Sequence, residues 1–214
     1  MSRVTGSAYP ALLSHIRVKP RHILELGSRD LLDALWLAKE YGVPVTAFEC
    51  NPEAIERCKR NLTTMWGNEM SVFLVPKAVW SEDGPLTFYP VTNGNLGASS
   101  AFKANPAYPY ERYQQSEVTV EAVRLDSFFL DSPFPNVVCM DLQGSEMEAL
   151  IGMGERLHEV DAIISEVQTK RLYHDTPLHA DLTAYLAEYG LVPVHTKHVN
   201  DWFGDCVFVR LNRG

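Results

Sequence analysis

The 214-residue chain lacks several features that mark whole classes of protein. It has no run of about 18 uncharged apolar residues, which argues against a membrane-spanning helix. Residues 1–20 hold no continuous apolar stretch of the kind found in secretion signals. The formal charge is -8 and no basic stripe is present, which argues against a nucleic-acid partner. We therefore expect a soluble, cytoplasmic protein that binds neither a membrane nor nucleic acid.

Paired cysteines are also missing. The four cysteines (Cys50, Cys58, Cys139 and Cys206) stand singly, and no two have CxxC spacing. We therefore expect reduced, partly buried thiols. With 46% hydrophobic residues, the chain can bury a full core as a single domain.

What the sequence does contain is an apolar strand that ends in Glu25-x-Gly27 and opens into a helix. A second apolar strand ends in Glu49, 22 positions after the glycine. A tight turn at Gly27 would let backbone N–H groups approach a ligand, and the Glu49 carboxylate can accept two hydrogen bonds from a ribose diol. The pattern predicts a cofactor that contains adenosine.

Glycines distinguish among the adenosine cofactors. NAD requires a G-x-G-x-x-G turn for its pyrophosphate, whereas only Gly27 is present here, and Asp30 would repel a phosphate at the helix start. ATP bound through a P-loop is disfavoured because no G-x-x-x-x-G-K-[ST] occurs. S-adenosylmethionine (SAM) carries no phosphate and has a cationic sulfonium and ammonium. The acidic turn between Glu25 and Asp30 therefore favours SAM.

Apolar strand patterns alternate with helical patterns along most of the chain, which predicts an α/β fold with a largely parallel sheet. The final two strand patterns have no helix between them, so the last strand should be antiparallel. The strands predicted for the sheet are His22–Gly27, Val45–Glu49, one within Ser71–Trp80, Asn136–Leu142, Asp161–Val167, Leu191–Thr196 and Gly204–Leu211. Two more, Pro85–Pro90 and Glu117–Leu125, bracket an unusual segment.

That segment, residues 91–116, contains Pro106, Pro109 and three tyrosines. A long loop inside a compact domain is usually a lid or a binding loop, or is disordered. We expect it to close over a substrate, with Ser99 and Ser100 as polar contacts.

Six segments together resemble the FkbM family of class I SAM-dependent methyltransferases. They occur in the order of the family and extend from about residue 20 to residue 195. They are Ile23–Asp30, Phe48–Pro52, Lys77–Val79, Val123–Phe128, Met140–Glu146 and Ile164–Gln168.

The resemblance implies a Rossmann-like sheet of seven strands with the last strand reversed. It implies one methyltransferase domain over residues 1–214, in which residues 1–20 form a helical extension and residues 91–116 form the inserted loop. It also implies O-methyl transfer to a hydroxyl of a sugar, a polyketide or another specialised metabolite. The chain departs from the family twice, because Leu31 stands where the family often has Gly and Gln143 where it commonly has Glu.

The predicted cofactor site follows the strand ends. Glu25, Gly27, Ser28 and Arg29 would surround the methionine end of SAM, although Gly27 could be an ordinary turn and Arg29 a surface ion pair. Glu49 would bind the ribose. A carboxylate at the end of a buried strand costs folding free energy unless a hydrogen-bond donor pairs with it. Cys50 and Asn51 are further candidates beside Glu49, although Asn51 is also a good helix N-cap. Lys77, Ala78 and Val79 would lie at the adenine edge, or they could form a plain loop.

Asp141 is the first catalytic candidate, because it ends the central fourth strand at the edge where α/β sheets bind ligands. It could orient the acceptor hydroxyl and take its proton, or only hydrogen-bond SAM. Glu166, one strand over, and His195, at the end of the sixth predicted strand, are further candidates. Asp141 and Glu166 could hold a divalent metal, but no third ligand is evident, so we predict none.

Gln143 and Glu146 complete the predicted substrate contacts. Ser145 and Glu148 fit a capping box, which makes Glu148 structural, and Glu146 in the first helical turn also suits the helix dipole. Transfer to nitrogen is disfavoured because Asp141–Gly144 is not an Asn/Asp-Pro-Pro-aromatic motif. Two alternatives to an O-methyltransferase remain. One is a non-catalytic SAM-binding module, for which the Gln143 departure is the sequence hint. The other is an NAD-linked oxidoreductase, which the missing glycines disfavour.

Overall fold

The computed structural model describes residues 9–64 and 71–211. Seven strands form the main sheet: β1 (Ile23–Leu26), β2 (Val45–Phe48), β3 (Val72–Val75), β7 (Val137–Met140), β8 (Ala162–Gln168), β9 (Leu191–His198) and β10 (Phe203–Arg210). Three others, β4 (Ala78–Val79), β5 (Gly84–Phe88) and β6 (Val118–Val123), form a smaller sheet. The helices are α1 (Tyr9–Leu12), α2 (Leu32–Tyr41), α3 (Pro52–Thr64), α4 (Leu125–Phe128), α5 (Glu146–Met153) and α6 (His179–Glu188).

The main sheet has the strand order β3-β2-β1-β7-β8-β10-β9. The first five strands in this order are parallel, and β10 runs antiparallel to both β8 and β9. The predicted sheet with a reversed last strand is therefore confirmed. The order reverses between β1 and β7, and ligands bind at the carboxyl edge of such switch points.

Burial explains why the apolar runs predicted the sheet well. Every residue of β1, β2, β7 and β8 is buried, because helices cover both faces of the sheet. One hydrophobic cluster includes side chains of α1 and α2, and the other includes side chains of α5 and α6. All four cysteines are free thiols, three of them buried, as predicted. Among the described residues no helix is long and apolar enough to cross a membrane.

Two helix starts differ in detail from the sequence prediction. The helix predicted from Asp30 begins only at Leu32, because Arg29 (φ 51°) and Leu31 (φ 67°) adopt the left-handed conformation. Left-handed backbone favours glycine, which accounts for the glycine that the family often carries at the Leu31 position. The predicted capping box at α5 is wrong, since the Ser145 side chain makes no capping bond. The apolar spacing along α3 also predicts Met65 on its buried face, and Met65 lies outside the described residues.

Segment 91–116 is anchored on the chain that follows β8. The backbone N–H of Asn105 donates to the Leu172 carbonyl (2.7 Å), and that of His174 donates to the Lys103 carbonyl (2.9 Å). The Tyr173 hydroxyl lies 2.9 Å from the Ala98 carbonyl. The tyrosines of the segment pack in a cluster that includes Trp202. They are not among the described residues that line the two cavities of the candidate site.

Candidate functional site

Two adjoining cavities open at the carboxyl ends of β1, β2 and β7. The first encloses about 720 Å³ including its open mouth, and the second about 940 Å³. They share four wall residues, Gly27, Arg29, Gly97 and Asp141. This is the edge at which the sequence placed the site.

Gly27 brings three strand ends together. Its backbone has φ 83°, and its N–H donates to the Phe48 carbonyl at the end of β2 (3.0 Å). A Cβ atom built on Gly27 would lie 2.0 Å from the backbone oxygen of Asp141 at the end of β7. Because real atoms do not approach so closely, only glycine fits both the conformation and the contact. The turn is therefore a close-approach point that both cavities share.

Glu49 is held in place by backbone N–H groups. One carboxylate oxygen accepts from Cys50 and Asn51 (2.8 Å each), and the other accepts from Arg29 (2.7 Å). Burial raises the pKa of Glu49, while these three N–H groups oppose the rise. An oxygen that accepts one hydrogen bond keeps a lone pair for another donor. A ribose hydroxyl is such a donor.

The neighbours of Glu49 also line the first cavity. Asn51 caps α3, since its side-chain oxygen accepts from the Glu53 N–H (3.1 Å), and its amide nitrogen donates to the Ser99 hydroxyl (3.2 Å). Cys50, Ser99, Lys77, Ala78 and Val79 line the same cavity. Ala78 and Val79 form the short strand β4 rather than a plain loop. Apolar wall residues that the sequence did not single out are Phe48, Ala54, Trp80, Leu86, Phe88, Leu96 and Ala101.

Glu25 and Ser28 lie on the wall of the second cavity. Both are buried, and the Ser28 hydroxyl donates to the Glu25 carboxylate. Burial raises the pKa of Glu25 well above its usual range. Arg29 borders both cavities and forms an ion pair with Asp30 (3.5 Å), so its two predicted roles are compatible. The sequence missed Tyr9, Asp33 and Asp205 on this wall, because no motif marks them.

Three carboxyl groups meet at the centre of the site. Ligand oxygens of Asp141, Glu146 and Glu166 all lie within 4.8 Å of one another. Asp141 is open to the cavity, whereas Glu146 and Glu166 are 3% and 7% exposed. Burial raises the pKa of Glu166 well above its usual range and that of Glu146 to about 7. The sequence predicted Glu146 as a substrate contact but did not identify it as a third carboxylate beside Asp141 and Glu166.

Gln143 connects two of these carboxylates with segment 91–116. Its side-chain nitrogen donates to Asp141 (2.5 Å) and Glu166 (3.2 Å), and its side-chain oxygen accepts from the Tyr173 hydroxyl (2.6 Å). Nothing in the sequence indicated Tyr173. Gln143 also lines the first cavity, as a substrate contact should.

Three predicted site residues are not brought to a cavity surface. Ser100 is fully buried and its hydroxyl donates to the Gln143 carbonyl (2.7 Å), so it holds the Gln143 backbone in place. Glu146 is not among the wall residues, because its carboxylate folds back to accept from the Leu142 N–H (2.8 Å) and the Gly144 N–H (3.0 Å).

His195 is the third. It does not lie at a strand end, because β9 continues to His198 and places His195 inside the edge strand. There its ring stacks on that of His15 at 3.8 Å. His195 is not among the described residues that line either cavity.

Replacing Glu49 is expected to weaken cofactor binding. Glu49→Ala should lower the affinity for S-adenosylhomocysteine tenfold or more, since a hydrogen bond to a charged group contributes about 1.5–3 kcal/mol. Because the pKa of Glu49 is raised, the carboxylate is protonated at a higher pH than an ordinary glutamate, and wild-type affinity should fall as pH drops through that raised pKa. Calorimetry across pH checks both effects. Glu49→Gln is the control: it should bind weakly with little pH dependence, and a wild-type pH profile in that variant would contradict the assignment.

Comparison with known proteins agrees with this geometry. A family model for the methyltransferase FkbM domain matches residues 32–192. The 2-O-methyltransferase NoeI of Sinorhizobium fredii (strain NBRC 101917 / NGR234) is 28% identical over 172 residues, which cover 75% of this chain and 69% of that protein.

Solved structures share the fold at low identity. Magnesium protoporphyrin IX methyltransferase from Synechocystis PCC 6803, with bound SAM, aligns with a TM-score of 0.53 and 12% identity over 94% of this chain and 76% of that chain. TrmK of M. capricolum, in complex with S-adenosylhomocysteine, aligns with a TM-score of 0.56 and 8% identity over 96% of this chain and 69% of that chain. These are class I methyltransferase folds. The family model covers most of the chain, and the chain therefore belongs to the FkbM methyltransferase family.

Proposed function

We propose that the protein transfers a methyl group from SAM to a hydroxyl of a small molecule such as a sugar, a polyketide or another specialised metabolite. The observation that carries the proposal is the meeting of the Gly27 turn, the Glu49 carboxylate and the Asp141 carboxylate at one pair of cavities. The named 2-O-methyltransferase relative supports oxygen as the acceptor atom.

The residues present fit SAM. Apolar side chains of the first cavity, among them Phe48 and Leu86, offer a surface for an adenine ring, and Glu49 offers an acceptor for the ribose. The second cavity carries the carboxyl groups of Glu25, Asp33 and Asp141. A cationic ligand beside them would favour their charged forms. SAM supplies an activated methyl group on its sulfonium. The backbone of the Gly27 turn, which a side chain would block, gives the ligand close access to the strand ends.

The acceptor would lie against Asp141. This carboxylate is open to both cavities and is oriented by the Gln143 amide. It would hold the acceptor hydroxyl in line with the methyl group and receive the proton as the oxygen–carbon bond forms. Ser99 and Gln143 on the wall of the first cavity would contact the rest of the acceptor, with segment 91–116 above it.

Calorimetric titration with S-adenosylhomocysteine, and with NAD in parallel, tests the cofactor first. We expect micromolar binding of the former and none of the latter. Binding of NAD alone would support the oxidoreductase alternative. The second step is an assay for SAM-dependent methyl transfer over a panel of hydroxylated acceptors. Cofactor binding with persistent absence of product across that panel would support a non-catalytic binding module.

A further inference from the structure

We propose that Asp141, Glu146 and Glu166 form a binding site for one hard divalent cation, of the magnesium or manganese type, beside the acceptor position. From sequence alone only two carboxylates were in reach of one another. The structure adds Glu146, whose ligand oxygen lies within 4.8 Å of those of the other two. Three carboxylate oxygens are the ligand chemistry that such cations prefer.

An orphaned oxygen is the second observation. Glu166 is 7% exposed, and its Oε1 atom has no hydrogen-bond partner among the described residues. A buried carboxylate oxygen without a hydrogen-bond donor lowers the stability of the fold, and such oxygens are normally paired with a donor or a metal. Its other oxygen accepts from the Gln143 amide (3.2 Å), so the carboxylate is fixed while Oε1 is left free.

The remaining hydrogen bonds orient the other two groups in the same way. The Gln143 side-chain amide donates to Oδ1 of Asp141, which fixes this carboxylate beside the other two. The Leu142 and Gly144 N–H groups hold the Glu146 carboxylate, whose oxygens keep lone pairs. Ligating carboxylates in metal sites are typically held by outer hydrogen bonds of this kind. Neutral hydrogen-bond donors therefore orient the three carboxylates. In the described part of the chain, no lysine or arginine forms an ion pair with any of them.

Access and charge agree with a cation that enters from the cavity. Asp141 is open to both cavities, Glu166 lies on the wall of the second, and Glu146 is buried next to them. Three ligands from the protein leave positions of an octahedral cation for water and for an acceptor hydroxyl. This role at the acceptor rests on the proposed function, whereas the site itself can be tested without any acceptor.

Manganese titration is the direct test. The full chain, stripped with a chelator and saturated with S-adenosylhomocysteine, is titrated with Mn²⁺, and free Mn²⁺ is followed by electron paramagnetic resonance. We expect about one bound ion per chain, displaced by Mg²⁺. Glu166→Gln should weaken this binding at least tenfold, and Glu146→Gln likewise. Asp205→Asn is the matched control, because Asp205 lies on the same cavity and pairs across the strands with Glu166 but is outside the cluster. That variant should keep the ion.

The result that overturns the proposal is the absence of stoichiometric Mn²⁺ binding, or binding that Glu166→Gln leaves unchanged. Calorimetry with S-adenosylhomocysteine on the same samples shows that each variant is folded. It also separates the two proposals. Cofactor binding without Mn²⁺ binding would reject the cation site alone, and Mn²⁺ binding without cofactor binding would reject the proposed function.

Discussion

Gly27→Ala is expected to abolish measurable binding of S-adenosylhomocysteine and to lower the melting temperature by roughly 5–15 °C. A Cβ atom at this position would lie 2.0 Å from the Asp141 backbone oxygen, so β1 and β7 would have to separate at the cavity. The left-handed backbone (φ 83°) adds about 1–2 kcal/mol for a residue with a side chain. Overpacking adds about 1–3 kcal/mol, and each kcal/mol shifts the melting temperature of a domain this size by about 2–4 °C.

Gly42→Ala is the matched control. Gly42 also has a left-handed backbone (φ 63°), but a Cβ atom there would meet nothing within 4 Å. Thermal unfolding of this variant should show the conformational cost alone, and its affinity for S-adenosylhomocysteine should equal that of the wild type. If Gly27→Ala behaved like Gly42→Ala in both measurements, the close approach at Gly27 would have no functional importance.

Asp141→Asn is expected to lower kcat by about 10²–10⁴, the range that general acid–base groups typically supply. Asparagine keeps the size of the side chain and can still accept from the Gln143 amide, so S-adenosylhomocysteine should bind within a few-fold of wild type. Initial rates with the first acceptor found, together with calorimetry, separate these two effects. An Asp141→Asn variant with wild-type turnover would remove Asp141 from the reaction.

A chelator distinguishes two ways in which Asp141 could act. If the carboxylate works alone, removal of divalent cations should leave the wild-type rate unchanged. If it works through a bound cation, the chelator should reproduce the loss seen in Asp141→Asn, and Mg²⁺ should restore the rate.

The sequence predicted the sheet because its central strands are buried on both faces and read as apolar runs. It predicted the positions of Gly27, Glu49, Asp141 and Glu166 for a related reason. The carboxyl ends of parallel strands meet at one edge, so a polar residue at a strand end is placed by topology alone.

The errors concern contacts that topology does not determine. Glu146 folds back onto its own turn, and Ser100 is buried under Gln143 because segment 91–116 packs on the chain after β8. His195 was misplaced because β9 continues to His198, beyond the apolar pattern that predicted its end. The left-handed Leu31 likewise gives no signal in a single sequence.

The Tyr173 hydroxyl has a single hydrogen atom and two acceptors within reach, the Ala98 carbonyl at 2.9 Å and the Gln143 side-chain oxygen at 2.6 Å. It can donate to only one of them at a time. One acceptor belongs to segment 91–116 and the other belongs to the amide that orients Asp141 and Glu166. A ligand that draws the Gln143 amide away would release this hydrogen to Ala98 and fasten the segment more firmly. Occupancy of the cavity and the hydrogen bond that holds segment 91–116 would then be linked through one shared hydrogen atom.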